Sequence, residues 1–256
     1  MKKIGAFLTL LSIWFFGAQA QPPAFQAGEK ITYTVFYNVI GMYVNAGTAT
    51  LSISSAKMLN NDVLHVVGEG STNSKYDWIF KVRDRYESYL DAQTLQPYKF
   101  VRHIQEGGYK KHEELHFDQK NNTVTSTKGI FNVPNEVHDL LSSFYYARTI
   151  NYDKYKPGDK ISFKMFLDGQ TYDMYVRYVG KETIKTKYGK FRAIQLKPLL
   201  LKGQVFEGGE KMTLWVTDDA NHIPVRIESP LSVGSIKVDL MKHENLKYNL
   251  NALAGL

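Results

Sequence analysis

The stretch that most constrains this chain is Met212–Leu240, MTLWVTDDANHIPVRIESPLSVGSIKVDL. Met212, Leu214 and Val216 alternate with polar or aromatic neighbours, and beyond Asp218–Asn221 the residues Ile223, Val225 and Ile227 do the same. A period of two is the signature of a strand with one buried face, and the Asp-Asp-Ala-Asn run between the two halves supplies turn chemistry. The reading is a hairpin followed by a third strand after Ser229-Pro230. Trp215, Pro224 and Arg226 fall on the face opposite the aliphatic stripe. A chain with such a unit near its end is committed to an antiparallel sheet.

The rest of the chain agrees. Glu29–Asn38, Val44–Ser54, Val63–Thr72, Pro97–Gln105, Tyr109–Phe117, Ile161–Leu167, Tyr172–Thr183 and Phe191–Leu196 all have strand-like patterning. Gly107-Gly108 and Asn121-Asn122 mark turns. Tyr76–Phe80 (YDWIF) suits a helical turn before the strand Val82–Leu90. One segment predicts a helix, Glu136–Ile150, with Leu140, Leu141, Phe144, Tyr145 and Arg148 recurring at helical spacing and Asn135 as its N-cap. About twelve short strands and one central helix predict an all-β fold: a single strongly curved antiparallel sheet, an open or half barrel. Large side chains on both faces of some strands (Phe36 and Tyr37, Tyr175 and Tyr178, Leu214 and Trp215) fit a sheet wrapped around the helix or an apolar cavity. Gly28-Glu29-Lys30, Gly158-Asp159-Lys160 and Gly209-Glu210-Lys211 each introduce a strand. Their unequal spacing argues for independent use of a glycine turn rather than duplication.

Residues 1–20 read as a secretory signal peptide: Lys2 and Lys3, an apolar run over Ile4–Phe16, and the small-residue cleavage site Ala18-Gln19-Ala20. That run is too short to cross a ~30 Å hydrocarbon core comfortably. The expected mature chain is a single β-rich domain over 21–248 with a loose tail over 249–256. Cysteine is absent, which excludes disulfides, thiolate metal sites, cysteine nucleophiles and a lipidated N-terminal cysteine. An exported chain of this size without cystines points to a periplasm. The net charge of +7 falls to +5 without Lys2 and Lys3, and acids are interleaved with the basic residues (Lys81, Arg83, Asp84, Arg85, Glu87). This patterning argues against a nucleic-acid partner and leaves some attraction to a membrane surface. The oligomeric state stays open.

The sharpest catalytic string is His112-Glu113-Glu114-Leu115-His116, H-E-x-x-H, with Asn135-Glu136 about twenty residues on, a tolerable distance for a third, carboxylate ligand. On a helix the two imidazoles would share a zinc ion and Glu113 would serve as base. On a strand they would stand ~13 Å apart at ~3.3 Å per residue, too far for two ligands of one ion. Flanking turns and the alternation of Tyr109, Leu115 and Phe117 favour the strand. Asp218-Asp219-Ala220-Asn221 lacks the glycine and distal glutamate of a calcium loop. Ser142-Ser143 with His138 has no nucleophile elbow beside it and reads as capping or packing. No catalytic residue, cofactor or metal is assigned.

Several segments, in order, resemble a known family: Asp139-Leu140-Leu141-Ser142-Ser143-Phe144-Tyr145-Tyr146-Ala147-Arg148, then Gly158-Asp159-Lys160, Tyr188-Gly189-Lys190-Phe191, Leu214–Asp219, Ile223–Ile227 and Val233-Gly234-Ser235-Ile236. Together these resemble the exported bacterial domain-of-unknown-function family 3108, over about Phe25 to Leu240. The signal peptide and a composition rich in Tyr, Asn and Lys resemble a Bacteroidetes member. The resemblance implies an all-β periplasmic or outer-membrane-associated protein and carries no catalytic residues. By analogy of fold, a curved sheet closed by a helix is similar to lipoprotein-carrier folds. The functional expectation is a non-enzymatic envelope protein binding an apolar or amphipathic, lipid-like ligand or a lipoprotein. Trp215, Phe36, Tyr175, Leu141, Phe144 and Arg226 are its candidate site residues. The alternatives are a zinc peptidase using His112, Glu113 and His116, and a structural or adhesion module with no pocket.

Overall fold

The computed structural model describes residues 23–39, 41–58, 60–202 and 208–255. The predicted signal peptide lies outside the described residues. Within them sixteen strands form one sheet: β1 Lys30–Val39, β2 Met42–Met58, β3 Asn61–Thr72, β4 Arg83–Asp91, β5 Pro97–Glu106, β6 Tyr109–Asp118, β7 Thr123–Ser126, β8 Gly129–Asn132 and β9 Val137–His138 precede the helix α1, Leu140–Arg148. After it come β10 Lys160–Leu167, β11 Gln170–Lys185, β12 Lys190–Pro198, β13 Thr213–Thr217, β14 Pro224–Pro230, β15 Ser235–Glu244 and β16 Leu253–Gly255. The expectation of about twelve strands is corrected to sixteen. The additional ones include β8, β9 and β16, of two to four residues, too short to show a period.

The strand order is β8-β7-β6-β5-β4-β3-β2-β1-β15-β14-β13-β12-β11-β10-β9, with β16 beside β12. Two antiparallel meanders therefore meet where β1 pairs β15. The sheet is open, yet side chains bring its two ends together. Phe131 of β8 lies 5.4 Å from Phe166 of β10, ring centre to centre. Asp168, in the β10–β11 turn, pairs with Arg102 of β5 and Lys111 of β6. Gln119 donates to the carbonyl of Val137 at 3.2 Å.

The antiparallel order assigns every turn to one of two ends. Turns β1–β2, β3–β4, β5–β6, β7–β8, β10–β11 and β14–β15 lie at what we call the upper end. Turns β2–β3, β4–β5, β6–β7, β11–β12 and β13–β14 lie at the lower end, and the described residues between β12 and β13, 199–202 and 208–212, follow from the upper end of β12. Helix α1 packs inside the curve: Leu141 and Tyr145 join Phe25, Ile53, Val66, Leu90 and Leu95 in one apolar cluster. Gly68 makes room for it, since a Cβ there would come 3.3 Å from Leu141. The helix begins later than the expected Glu136. Its N-cap is Asp139, not Asn135: the carboxylate accepts from the amides of Leu141 and Ser142, and the Ser142 hydroxyl accepts from the Asp139 amide. Ser142 thus caps, and Ser143 donates to the Leu140 carbonyl.

Strand β12 shows why some strands carry large residues on both faces. Phe191 and Ala193 belong to one buried cluster, while Ile194 and Leu196, pointing the other way, belong to a second. The expected loose tail is instead held. Leu253 registers with Phe191 in β16, and the amide of Ala252, fully buried, donates to Asp219.

Candidate functional site

Arg148, the last residue of α1, organises the lower end. Its side chain is 2 % exposed and that of its partner Glu29 1 %, with an Nη1–Oε1 separation of 2.5 Å. The same guanidinium donates through Nε and Nη2 to the carbonyl of Asn221, at 3.1 and 3.0 Å, and lies over the rings of Phe25 and Tyr145. Burial opposes the arginine's charge, but Glu29 beside it holds the proton on and raises its pKa. One side chain thereby ties the residue before β1, the helix and the β13–β14 turn together.

That turn is built from the Asp218–Asn221 run. Asp219 accepts from the Thr217 hydroxyl at 2.8 Å and from the Asn221 amide at 3.0 Å. Asn221, fully buried, exchanges hydrogen bonds with the backbone of Tyr248. Asp218 pairs with Lys181. These carboxylates hold the turn and the C-terminal segment, in keeping with a hairpin rather than a calcium loop. His222 follows, with φ of +43°. Its Nδ1 lies 2.8 Å from the Arg148 carbonyl. A carbonyl can only accept, so Nδ1 carries the hydrogen and Nε2 of the neutral ring is left as an acceptor. Burial pushes the His222 pKa down, which favours that neutral form.

Around these groups opens a cleft of about 430 Å³. Ala24, Ile150, Tyr152 and Ile194 supply apolar lining, and Asp153, Asp218, Asp219 and His222 supply the polar part. Asp153 is held as a carboxylate by Lys181, which lowers its pKa. The chemistry on offer is an apolar lining with fixed acceptors beside it, suited to a small guest with an apolar body and a donating head.

The profile of DUF3108, described as a protein of unknown function, matches residues 32–241. The chain belongs to the DUF3108 family. Among curated proteins none matches. Among solved structures the chain is similar to a beta-barrel-like protein of DUF1849 from Brucella abortus, with TM-score 0.53 and 8% identity over 84% of this chain and 96% of that one. It is also similar to a DUF1089 family protein from Pseudomonas aeruginosa (TM-score 0.39, 9% identity, 74% and 92% covered). A third is a protein with a YmcC-like fold, thought to be exported, from Bacteroides fragilis (TM-score 0.35, 11% identity, 87% and 99% covered). The Brucella likeness supports the beta-barrel-like fold of this DUF3108 chain. Among its described residues no helix is long and apolar enough to cross a membrane.

The six residues expected to line one opening do not share one. Trp215 registers with Arg226, Arg226 with Asp239, and Phe36 with Lys237, so these lie on one face of β13, β14, β15 and β1. It is the face turned away from α1: Leu214 and Val216, on either side of Trp215, pack with Tyr146 and Ala147 of the helix, and Tyr33, which alternates with Thr34 and Phe36, feels the charge of Arg148 at the end of the helix. There Arg226 pairs with Asp239 at 2.6 Å, Trp215 donates to Glu182 at 2.7 Å, and Lys187 and Lys237 cover Phe36. Tyr175 is elsewhere: it donates to Glu210, which Arg177 also binds, pulling that carboxyl down to about 2. Leu141 and Phe144 pack with the apolar cluster around α1.

The H-E-x-x-H string is on a strand, and this overturns the zinc reading. His112 and His116 are four residues apart in β6, while Glu113 points to the opposite face and pairs with buried Arg102. His112 instead stacks on His103, its cross-strand neighbour, with ring centres 4.2 Å apart, and His116 binds Glu114. Arg148, Glu29, His222 and Tyr152 were missed as site residues. The available signal was Arg148 ending the one apolar helical stripe.

Proposed function

We propose that this DUF3108 protein is an exported, non-enzymatic binding protein of the cell envelope. Its guest is a small amphipathic, lipid-like molecule, and its site is the cleft between the end of α1 and the β13–β14 turn. One observation carries the reading: a cleft of about 430 Å³ lined by the apolar Ala24, Ile150, Tyr152 and Ile194 together with His222, Asp153 and Asp218. Its back wall is held by the Arg148–Glu29 pair. A pre-formed site of this kind loses little on binding to the ordering of its own groups.

The test is titration with N-phenyl-1-naphthylamine, a neutral amphipathic fluorophore, alongside mass spectrometry of organic extracts of the purified protein. Thr149→Trp, which fills the cleft from its wall, is expected to weaken dye binding at least tenfold. Equal binding by this variant, or none by the parent, would overturn the reading. A second reading, a packed module acting through its surface, draws support from the filled interior. Phe25, Phe100, Tyr145, Tyr152, Phe166 and Phe191 are all buried to within 2 %. It predicts that dye and extract both come up empty.

A further inference from the structure

The upper end is built the other way round from the rest of the molecule. Trp78 is 82 % exposed, Met42 69 %, and Ile79 63 %, with Ile130 and Val233 both at 73 %. They occupy the β1–β2, β3–β4, β7–β8 and β14–β15 turns or their first strand residues. Among the described residues, every large exposed hydrophobic side chain except Leu140 and Met241 lies at this end. A chance scatter of surface hydrophobics would not sort by turn end, and apolar side chains concentrated at one end mark an interaction surface. The tips are also supported: the Phe80 ring packs under the β5–β6 turn, where a Cβ on Gly107 would meet it at 2.8 Å.

Charge selects the partner. Lys75, Lys81, Lys110, Lys128 and Lys202 are exposed at the same end. Most acids there are paired in place, Asp77 with Arg83, Asp168 with Arg102 and Lys111, and Glu210 with Arg177, while Asp84 and Glu106 lie beside each other, where burial pushes both carboxyls up. A tryptophan with aliphatic tips, ringed by lysines, matches the interface of an anionic bilayer, where indole sits at headgroup depth and ammonium groups meet phosphates. We infer that the upper end docks on an anionic phospholipid surface, inserting the Trp78-Ile79 loop and the Met42 hairpin. The inference does not rest on the cleft. Because the β13–β14 turn is at the other end, the docked molecule would hold its cleft away from the membrane.

The experiment is co-sedimentation of the purified protein with vesicles of phosphatidylglycerol and phosphatidylethanolamine (3:7), or of phosphatidylcholine alone. The expected result is binding to the first, at least tenfold weaker on the second, and weakened by raised salt. M42S/W78S/I79S should reduce binding at least tenfold, and K75E/K81E/K110E should reduce it for the anionic vesicles. Circular dichroism checks that both remain folded. Absence of binding, equal binding to phosphatidylcholine, or retention by the apolar variant would each overturn the inference. So would a dimer in sedimentation velocity without vesicles that M42S/W78S/I79S dissolves, since the tips would then serve a second copy of the chain.

Discussion

The two ends of the curved sheet break the usual partition of residues in opposite directions. At the lower end charged and polar groups are inside: the ion pair Arg148–Glu29 and the amide Asn221 are removed from water and bound to one another or to backbone. At the upper end apolar groups are outside, led by Trp78 and Ile79. Buried charge is costly unless every partner is present, so the lower end should be sensitive to any single change. Exposed apolar side chains gain nothing from folding, so the upper end should be insensitive. The difference separates residues the fold needs from residues a partner needs.

The largest effect is expected at Arg148. Arg148→Met leaves Glu29 as an unpaired buried carboxylate and should cost about 3–5 kcal/mol, read from urea denaturation midpoints. Replacing both, as E29L/R148M, should lose much less than the sum of the single changes, because no charge is then stranded. If Arg148→Met unfolds within 1 kcal/mol of the parent, the contrast between the ends fails at its strongest point.

A second effect concerns two neighbours at the start of α1. Burial lowers the His138 pKa from 6.5 to about 4, so the folded protein keeps the ring neutral. The unfolded chain binds that proton first, and His138 therefore removes stability as pH falls from about 6.5 to 4. Burial raises the Asp139 carboxyl from 3.8 to about 6, against its hydrogen bonds from Ser88, Ser142 and Leu141. Here the folded state binds the proton first, and Asp139 adds stability as pH falls from about 6 to 4. Each contribution is on the order of 3 kcal/mol, and over this window they oppose. His138→Leu should consequently gain stability on acidification from pH 6 to 4 relative to the parent, and Asp139→Asn should lose it. Parallel pH profiles for the two variants would rule out the opposition.

A change of about 1 kcal/mol is expected where the upper end is braced. Gly107 takes φ of +58°, and an added Cβ would press on Phe80. Gly107→Ala adds the left-handed penalty of ~1–2 kcal/mol for an L-residue, part of it relieved because the half-exposed Phe80 ring can swing away. A cost above 3 kcal/mol would mean that the apolar tips are part of the core after all.

How much of this was legible depended on how local its cause was. The hairpin at Gly107-Gly108, the alternating strands and the single helix follow from turn chemistry and periods within ten residues, and they were readable. The strand placement of His112–His116 was readable from the same alternation. The N-cap was misjudged because Asn135 and Asp139 both offer a capping side chain, and only the packing of Asp139 against Ser88 of β4 decides between them. The Arg148–Glu29 pair spans 119 residues and has no local pattern. The candidate site residues were chosen for size and alternation, which report a face but not which strands curl together. Trp215 and Leu141 were therefore grouped although they lie on opposite faces. The exposed tips were legible as residues in turns, but not as a set, because their common end follows only from the strand order.

The smallest expected effect is the most diagnostic. M42S/W78S/I79S removes three large apolar side chains, a change that in a core would cost several kcal/mol. At 63 to 82 % exposure these side chains bury little on folding, so stability should move by no more than about 0.5 kcal/mol. Measured beside Arg148→Met on the same denaturant scale, it asks whether a few apolar groups outside matter less to the fold than one charged group inside. A near-zero change together with lost vesicle binding would assign these tips to a partner. A destabilisation comparable to that of Arg148→Met would return them to the core and erase the difference between the two ends.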